Sequence, residues 1–105
     1  MTVKPYALHL ALMIDTVVLS KTARKALRKC PKHIAVKLAY WISQVGHLGL
    51  EEVRKIPGYH DEPLAGDYKG KRSIRLSLSY RAIYTVENGV VEFVLIEDVN
   101  KHYGD

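Results

Sequence analysis

The chain has a single cysteine, Cys30, so no disulfide can form within it and the framework of a small disulfide-stapled secreted scaffold is excluded. A reducing, cytoplasmic compartment is the expectation that follows. Long apolar runs are missing too. The stretch from Tyr6 to Leu19 is broken by His9 and Asp15, so no membrane-spanning helix is predicted. One upstream lysine and no small-residue cleavage site make it a poor secretory signal. Met13 offers an alternative start. Residues 1–12 are therefore read as an N-terminal extension, and residues 13–105 as one domain.

Several catalytic signatures are absent. Gly58, Gly66 and Gly70 fit neither the Gly-x-Gly-x-x-Gly nor the Walker spacing. There is no Gly-x-Ser-x-Gly elbow. Five histidines and one cysteine never reach zinc-ligand spacing, so no metal or cofactor is expected. Acidic residues are the minority, 11 against 16 lysines and arginines, which leaves a net charge of +5. In so short a chain that balance favours a polyanionic partner: nucleic acid, an anionic membrane or an acidic protein. Charge alone does not choose among them.

The residues that are present sort into elements by period. Asp15 to Leu19 is β-branched and predicts a short strand. Ser20 can cap a helix from Lys21 to Lys29. Ala23, Ala26, Leu27 and Cys30 form that helix's apolar side, and Lys21, Arg24, Lys25 and Arg28 a cationic stripe, read as a solvated face. Pro31 suits the first turn of a second helix. Its buried face is Ile34, Leu38, Trp41, Ile42, Val45 and Leu48, with Trp41 as a core anchor, and Gly46 and Gly49 bracket its end. The two helices read as an antiparallel hairpin. Cys30 has a cation beside it, which favours a reactive thiolate, but its place at a helix junction favours an inert, half-buried thiol, and we read it as the latter.

Glu51 to Ile56 predicts one more helical turn. Pro57, Gly58, Pro63, Gly66 and Gly70 then mark a long loop, and long loops in small domains often carry function. From Arg72 the period becomes two: Ile74, Leu76 and Leu78 alternate with Ser73, Arg75 and Ser77. Tyr80 to Val86 is a second strand of this group, Asn88-Gly89 a hairpin turn, and Val90 to Ile96 a third strand, apolar enough to lie centrally. The fold class is α+β: an N-terminal strand, a two-helix hairpin, then an antiparallel sheet with one face on the helices and the other partly open.

The candidate chemistry lies on the strands, the loop and the tail. Arg75 and Arg81 are strand residues. Lys69, Lys71 and Arg72 lead into the sheet. His60 and Glu62 sit in the loop, and Lys101, His102 and Tyr103 follow the last strand. Cleavage of a phosphodiester by its neighbouring ribose 2′-hydroxyl needs parts of these kinds: a base, cations for the phosphorane, and an acid for the leaving oxygen. Arginine forks suit phosphate oxygens, and histidine titrates near neutrality. Taken singly, each residue has an ordinary reading. The arginines fit cross-strand ion pairs, His102 a surface tail residue, and Glu62 a loop acid.

Taken together, Glu62-Pro63-Leu64-Ala65-Gly66, Gly70-Lys71-Arg72-Ser73-Ile74-Arg75-Leu76, Tyr80-Arg81-Ala82-Ile83-Tyr84 and the His102-Tyr103 ending resemble the RelE/ParE superfamily of toxins. The likeness runs from about Ile56 to Tyr103 and is greatest to the RelE/YoeB/HigB type. The resemblance implies a microbial-RNase-like fold with a curved sheet and a site in its concave face. It implies metal-free cleavage of messenger RNA, usually on the translating ribosome, leaving a 2′,3′-cyclic or 3′-phosphate and a 5′-hydroxyl. It assigns Arg81 to the scissile phosphate and Arg75 to a second cationic position. Glu62 becomes a general base, His102 an acid, and Tyr103 a residue that stacks on or orients the nucleotide. Lys71 becomes a phosphate contact, and we read Lys69, Arg72, Lys101 and His60 beside it as further RNA contacts. Gly104 and Asp105 depart from the YoeB-type ending, as does Asn100-Lys101, so the roles of Glu62, His102 and His60 are left interchangeable. A cognate antitoxin is the implied protein partner, in a hetero-oligomer or beside a homodimer. Two alternatives share the fold: a ParE-like toxin acting on DNA gyrase, and a non-catalytic relative that only binds an antitoxin.

Overall fold

Ser20 is where a strand becomes a helix, and its side chain makes the change. β1 (Thr16–Leu19) ends just before it and α1 (Lys21–Arg28) begins just after. Its backbone is extended, and its hydroxyl accepts the Ala23 amide at 3.0 Å, satisfying one of the donors a helix leaves open at its start. The computed structural model describes residues 13–100; the extension 1–12 and the tail residues Lys101, His102 and Tyr103 lie outside them. α2 (Lys32–Leu48) follows Pro31, which stands at the cap, one residue before the first turn, because its ψ of 148° is extended. α2 stops at Gly49, whose φ of +83° and ψ of 153° lie in a region that glycine alone enters readily. α3 (Leu50–Arg54) starts at once.

Four more strands follow: β2 (Glu62–Pro63), β3 (Arg72–Arg75), β4 (Tyr80–Glu87) and β5 (Val90–Asp98). The sheet order is β1-β5-β4-β3-β2. β1 lies parallel to β5, and every other pairing is antiparallel. The α+β architecture expected from the sequence is the one observed, with that parallel edge added. Asn88 and Gly89 both take positive φ and turn β4 into β5. β5 is paired on both sides, as its apolar sequence requires. β2, two residues long, is too short to show a period.

Two expectations fail locally. β3 ends at Arg75, and residues 76–79 form a turn, because the Ser77 hydroxyl accepts the amides of Ser79 and Tyr80, each at 3.1 Å. Leu78, expected on the buried side of a longer strand, is 85% exposed at the turn. Leu48 is half exposed rather than buried, because it is the last residue of α2 and the chain turns away at Gly49.

The helices cover one sheet face. Trp41 of α2 meets Tyr84 of β4 and Phe93 of β5, with ring centroids 5.2–5.7 Å apart in tilted and edge-on contacts. Ile34, Leu38, Val45, Ile74 and Val91 pack around them. Cys30 is half-buried at the α1–α2 junction and donates to the Ala26 carbonyl at 3.3 Å. Burial, reinforced by Asp98, pushes its thiol pKa up, which is the inert reading.

Two substitutions test these junctions by urea denaturation. Ser20→Ala is expected to cost about 1 kcal/mol through loss of the cap. Gly49→Ala is expected to cost about 1–3 kcal/mol, since its backbone sits in the glycine region; the new Cβ would also stand 2.7 Å from Met13 Cγ.

Candidate active site

Strand register decides where the arginines go. Arg75 lies directly opposite Arg81 in the β3–β4 pairing, and directly opposed residues share a face. Glu62 on β2 pairs with Ser73, two residues from Arg75, which puts it on the same face. Glu97 on β5 opposes Arg81 from the other side. The alternate residues Ile74, Ala82 and Tyr84 belong to the core under the helices. The arginine face is therefore the one the helices leave open. A depression of about 170 Å³ opens there, lined by His60, Glu62, Arg75, Leu78, Tyr80 and Arg81 among others.

Two guanidiniums opposed across neighbouring strands repel one another, a destabilising arrangement unless an anion relieves it. Glu97 relieves part of it by accepting Arg81 Nε at 2.5 Å. This is the cross-strand ion pair of the ordinary reading, and it fixes the guanidinium at one nitrogen while its outer Nη groups find no partner among the described residues. Arg75 is exposed and has no ion-pair partner among the described residues. Two partly open arginine forks beside a carboxylate and an imidazole can hold a phosphate and move protons around it.

Among the described residues no hydrogen bond holds the side chain of His60 or Glu62, whose backbones are set by the 3.1 Å bond from the His60 amide to the Pro57 carbonyl and by the pairing of Glu62 with Ser73. The residue between them, Asp61, holds them. Its side chain is fully buried; it accepts Arg72 Nε at 2.6 Å on one oxygen and the Tyr84 hydroxyl at 2.6 Å on the other. The Tyr84 oxygen in turn accepts Arg54 Nε at 3.3 Å. One residue earlier in the loop than His60, Tyr59 is buried and donates to Gln44 of α2 at 2.6 Å. His60 turns the chain with a φ of 45°. The loop is thus tied to both layers of the fold on either side of His60.

The other end of the depression is closed by the end of β5. The Val99 amide donates to the Ser79 carbonyl at 2.6 Å, and Asn100 Nδ2 donates to the Ser79 hydroxyl at 3.0 Å. Of the residues singled out in the sequence, Arg75, Arg81, Glu62 and His60 are brought together. Arg72 points to the opposite face of β3, where Asp61 holds it. Lys69 and Lys71 do not line the depression. Lys101, His102 and Tyr103 lie outside the described residues. Sequence reasoning missed Asp61, Tyr84 and Glu97. Counting outward from Asn88-Gly89 sets Arg81 opposite Ile96; only the register shift between Ile83 and Tyr84 brings Glu97 there. Tyr84 entered as the last residue of the Tyr80–Tyr84 motif without a role, and Asp61 carries no local signal. Among the described residues no three His, Cys, Asp or Glu side chains gather as a metal site would need.

No family model and no curated protein matches the sequence. Solved structures do. A chain of the archaeal RelE–RelB complex from Pyrococcus horikoshii matches with a TM-score of 0.65 at 21% identity, over 86% of this chain and 100% of that one. The DinJ–YafQ toxin–antitoxin complex from E. coli gives 0.64 at 21%, over 84% and 96%. The YoeB–YefM complex from Staphylococcus aureus gives 0.63 at 18%, over 84% and 97%. The fold is that shared by the RelE, YafQ and YoeB structures.

Burial pushes the Tyr84 phenol from its ordinary value near 10 up to about 12, with its hydrogen bond to Asp61 adding and Arg54 opposing. A pKa raised in the folded state contributes stability that is complete below about pH 10 and lost as pH rises through about 12. Urea midpoints measured across that window are expected to fall more steeply for the wild type than for Tyr84→Phe, which starts lower because it strips Asp61 of a partner.

Proposed function

We propose that this chain is the toxin of a toxin–antitoxin pair and a metal-independent endoribonuclease that cleaves messenger RNA through the ribose 2′-hydroxyl. The observation that carries the reading is the Arg75–Arg81 cross-strand pair, set in an open depression with Glu62 and His60 on its rim. A phosphate bound there relieves a repulsion that the fold otherwise tolerates without gain.

In this reading Glu62 takes the 2′-hydroxyl proton as the 2′-oxygen bonds to phosphorus. Arg75 and the outer nitrogens of Arg81 stabilise the charge that builds on the phosphorane oxygens. The bond from phosphorus to the 5′-oxygen breaks, and an imidazolium protonates the leaving oxygen. His102 is the acid of choice. Asn100 is held at the rim through Ser79, and two residues span at most about 7 Å of chain. His60 lines the same depression and is the second candidate for either proton. The products are a 2′,3′-cyclic phosphate and a 5′-hydroxyl. Tyr103 stacks on or orients the nucleotide, and Lys69, Lys71 and Lys101 meet the flanking backbone. Arg72 does not meet RNA in this reading, being committed to Asp61.

The wider setting follows from the same reading. The RelE, YafQ and YoeB structures are of complexes with RelB, DinJ and YefM, which supports a cognate antitoxin for this chain as well. The ribosome is proposed as the place where the messenger is met, and the cytoplasm as the compartment. The described residues hold no helix long and apolar enough to cross a membrane.

Arg81→Ala and His102→Ala are each expected to relieve growth arrest at matched expression while the domain stays folded, since losing one transition-state group costs about 10²–10³ in rate. Wild-type toxicity from either variant overturns that residue's assignment. New 5′-hydroxyl ends inside messenger RNA after induction support cleavage; DNA damage with intact messenger marks the gyrase-directed alternative instead.

A further inference from the structure

Leu78 is the most exposed of the large apolar side chains described, at 85%, and it lines the charged depression. Single exposed leucines are ordinary on protein surfaces. This one has a companion. Val99, half exposed at 48%, lines the same depression and is tied to the residue next to Leu78 by the hydrogen bond its amide donates to the Ser79 carbonyl. Asn100 repeats the tie through the Ser79 hydroxyl. The two apolar side chains thus stand on one stapled rim, with the turn held open by the Ser77 hydroxyl. Arg75 and Arg81 are each three residues from Leu78, so neither lies more than about 10 Å of chain from it.

We propose that Leu78 and Val99 form a base-binding lip, on which the nucleobase adjoining the phosphate at Arg75 and Arg81 lays its face. The proposal rests on the nuclease reading above and names how that site holds its substrate. A nucleotide alternates a charged phosphate with an apolar base face, and the depression alternates in the same way: guanidiniums at the mouth of the hairpin, aliphatic side chains at its tip. Single-stranded RNA offers unstacked bases to such a surface, and packing on base faces is tolerant of sequence while still ranking bases by area. Glu62 and His60 occupy the loop side of the depression, so the turn at residues 76–79 and the end of β5 are what remains for a base. Two side chains are too small a patch to anchor a protein partner by themselves.

The test uses the full chain with a defined messenger on stalled ribosomes, in single-turnover cleavage at varied toxin concentration. Both side chains are exposed, so Leu78→Ser and Val99→Ser should leave the thermal midpoint at the wild-type value. The double variant is expected to raise the half-saturating concentration about tenfold, the loss of an apolar contact with substrate, with the limiting rate near that of the wild type. It should also flatten the nucleotide preference beside the cut, and Leu78→Phe should restore tight saturation. Unchanged saturation and an unchanged map of cut sites, with an active wild type, overturn the lip and leave the nuclease reading standing. A loss confined to antitoxin affinity, with RNA kinetics intact, also overturns it. A wild type that cuts no RNA overturns the nuclease reading itself.

Discussion

A buried carboxylate holds the site together. Asp61 is fully enclosed, and its two oxygens are taken by Arg72 from β3 and Tyr84 from β4. An enclosed charge of this kind is tolerable only when every oxygen has a partner, and removing one partner of such a pair typically costs about 3–5 kcal/mol. The consequence is positional. Asp61 can sit in one place only, so its neighbours His60 and Glu62 are delivered to the opposite, open side of the sheet edge. A loop that reads as the least ordered part of the sequence is fixed where the chemistry needs it.

The sheet divides the labour. Its covered face carries Ile74, Ala82, Tyr84 and Phe93 against Trp41, and this is where the apolar area is buried. Its open face carries Arg75 against Arg81, an arrangement that costs stability, with Glu97 as partial compensation. In β3 and β4 a period of two makes that separation direct: core residues Ile74 and Ala82 stand next to Arg75 and Arg81. Local conflict with stability, retained beside the depression on the face the helices do not cover, is the usual mark of a functional surface.

Much of the fold was legible because its signals are local. Ser20 caps, Asn88-Gly89 turns, and Ile34, Leu38, Trp41 and Val45 follow the helical period with no help from the rest of the chain. Leu78 was misread for an equally local reason. Its alternation with Ser77 imitates a strand, and only the Ser77 hydroxyl, which captures two backbone amides, shows that the chain has already turned. Of the site, Arg75 and Arg81 were found from their polar positions in alternating strands. Whether they share a face was not legible, because it depends on which residues of β3 and β4 stand opposite one another.

The sequence by itself determined the element order, the apolar stripe of the long helix, the hairpin at Asn88-Gly89 and a cationic chain with a single cysteine. Periodicity and turn chemistry act over a few residues, and so they survive in one dimension. Tertiary structure alone decided that Arg75 meets Arg81, that Arg72 turns away to Asp61, and that β1 runs parallel beside β5. Those outcomes depend on register and on the burial of a charge, and both are set by partners far away along the chain.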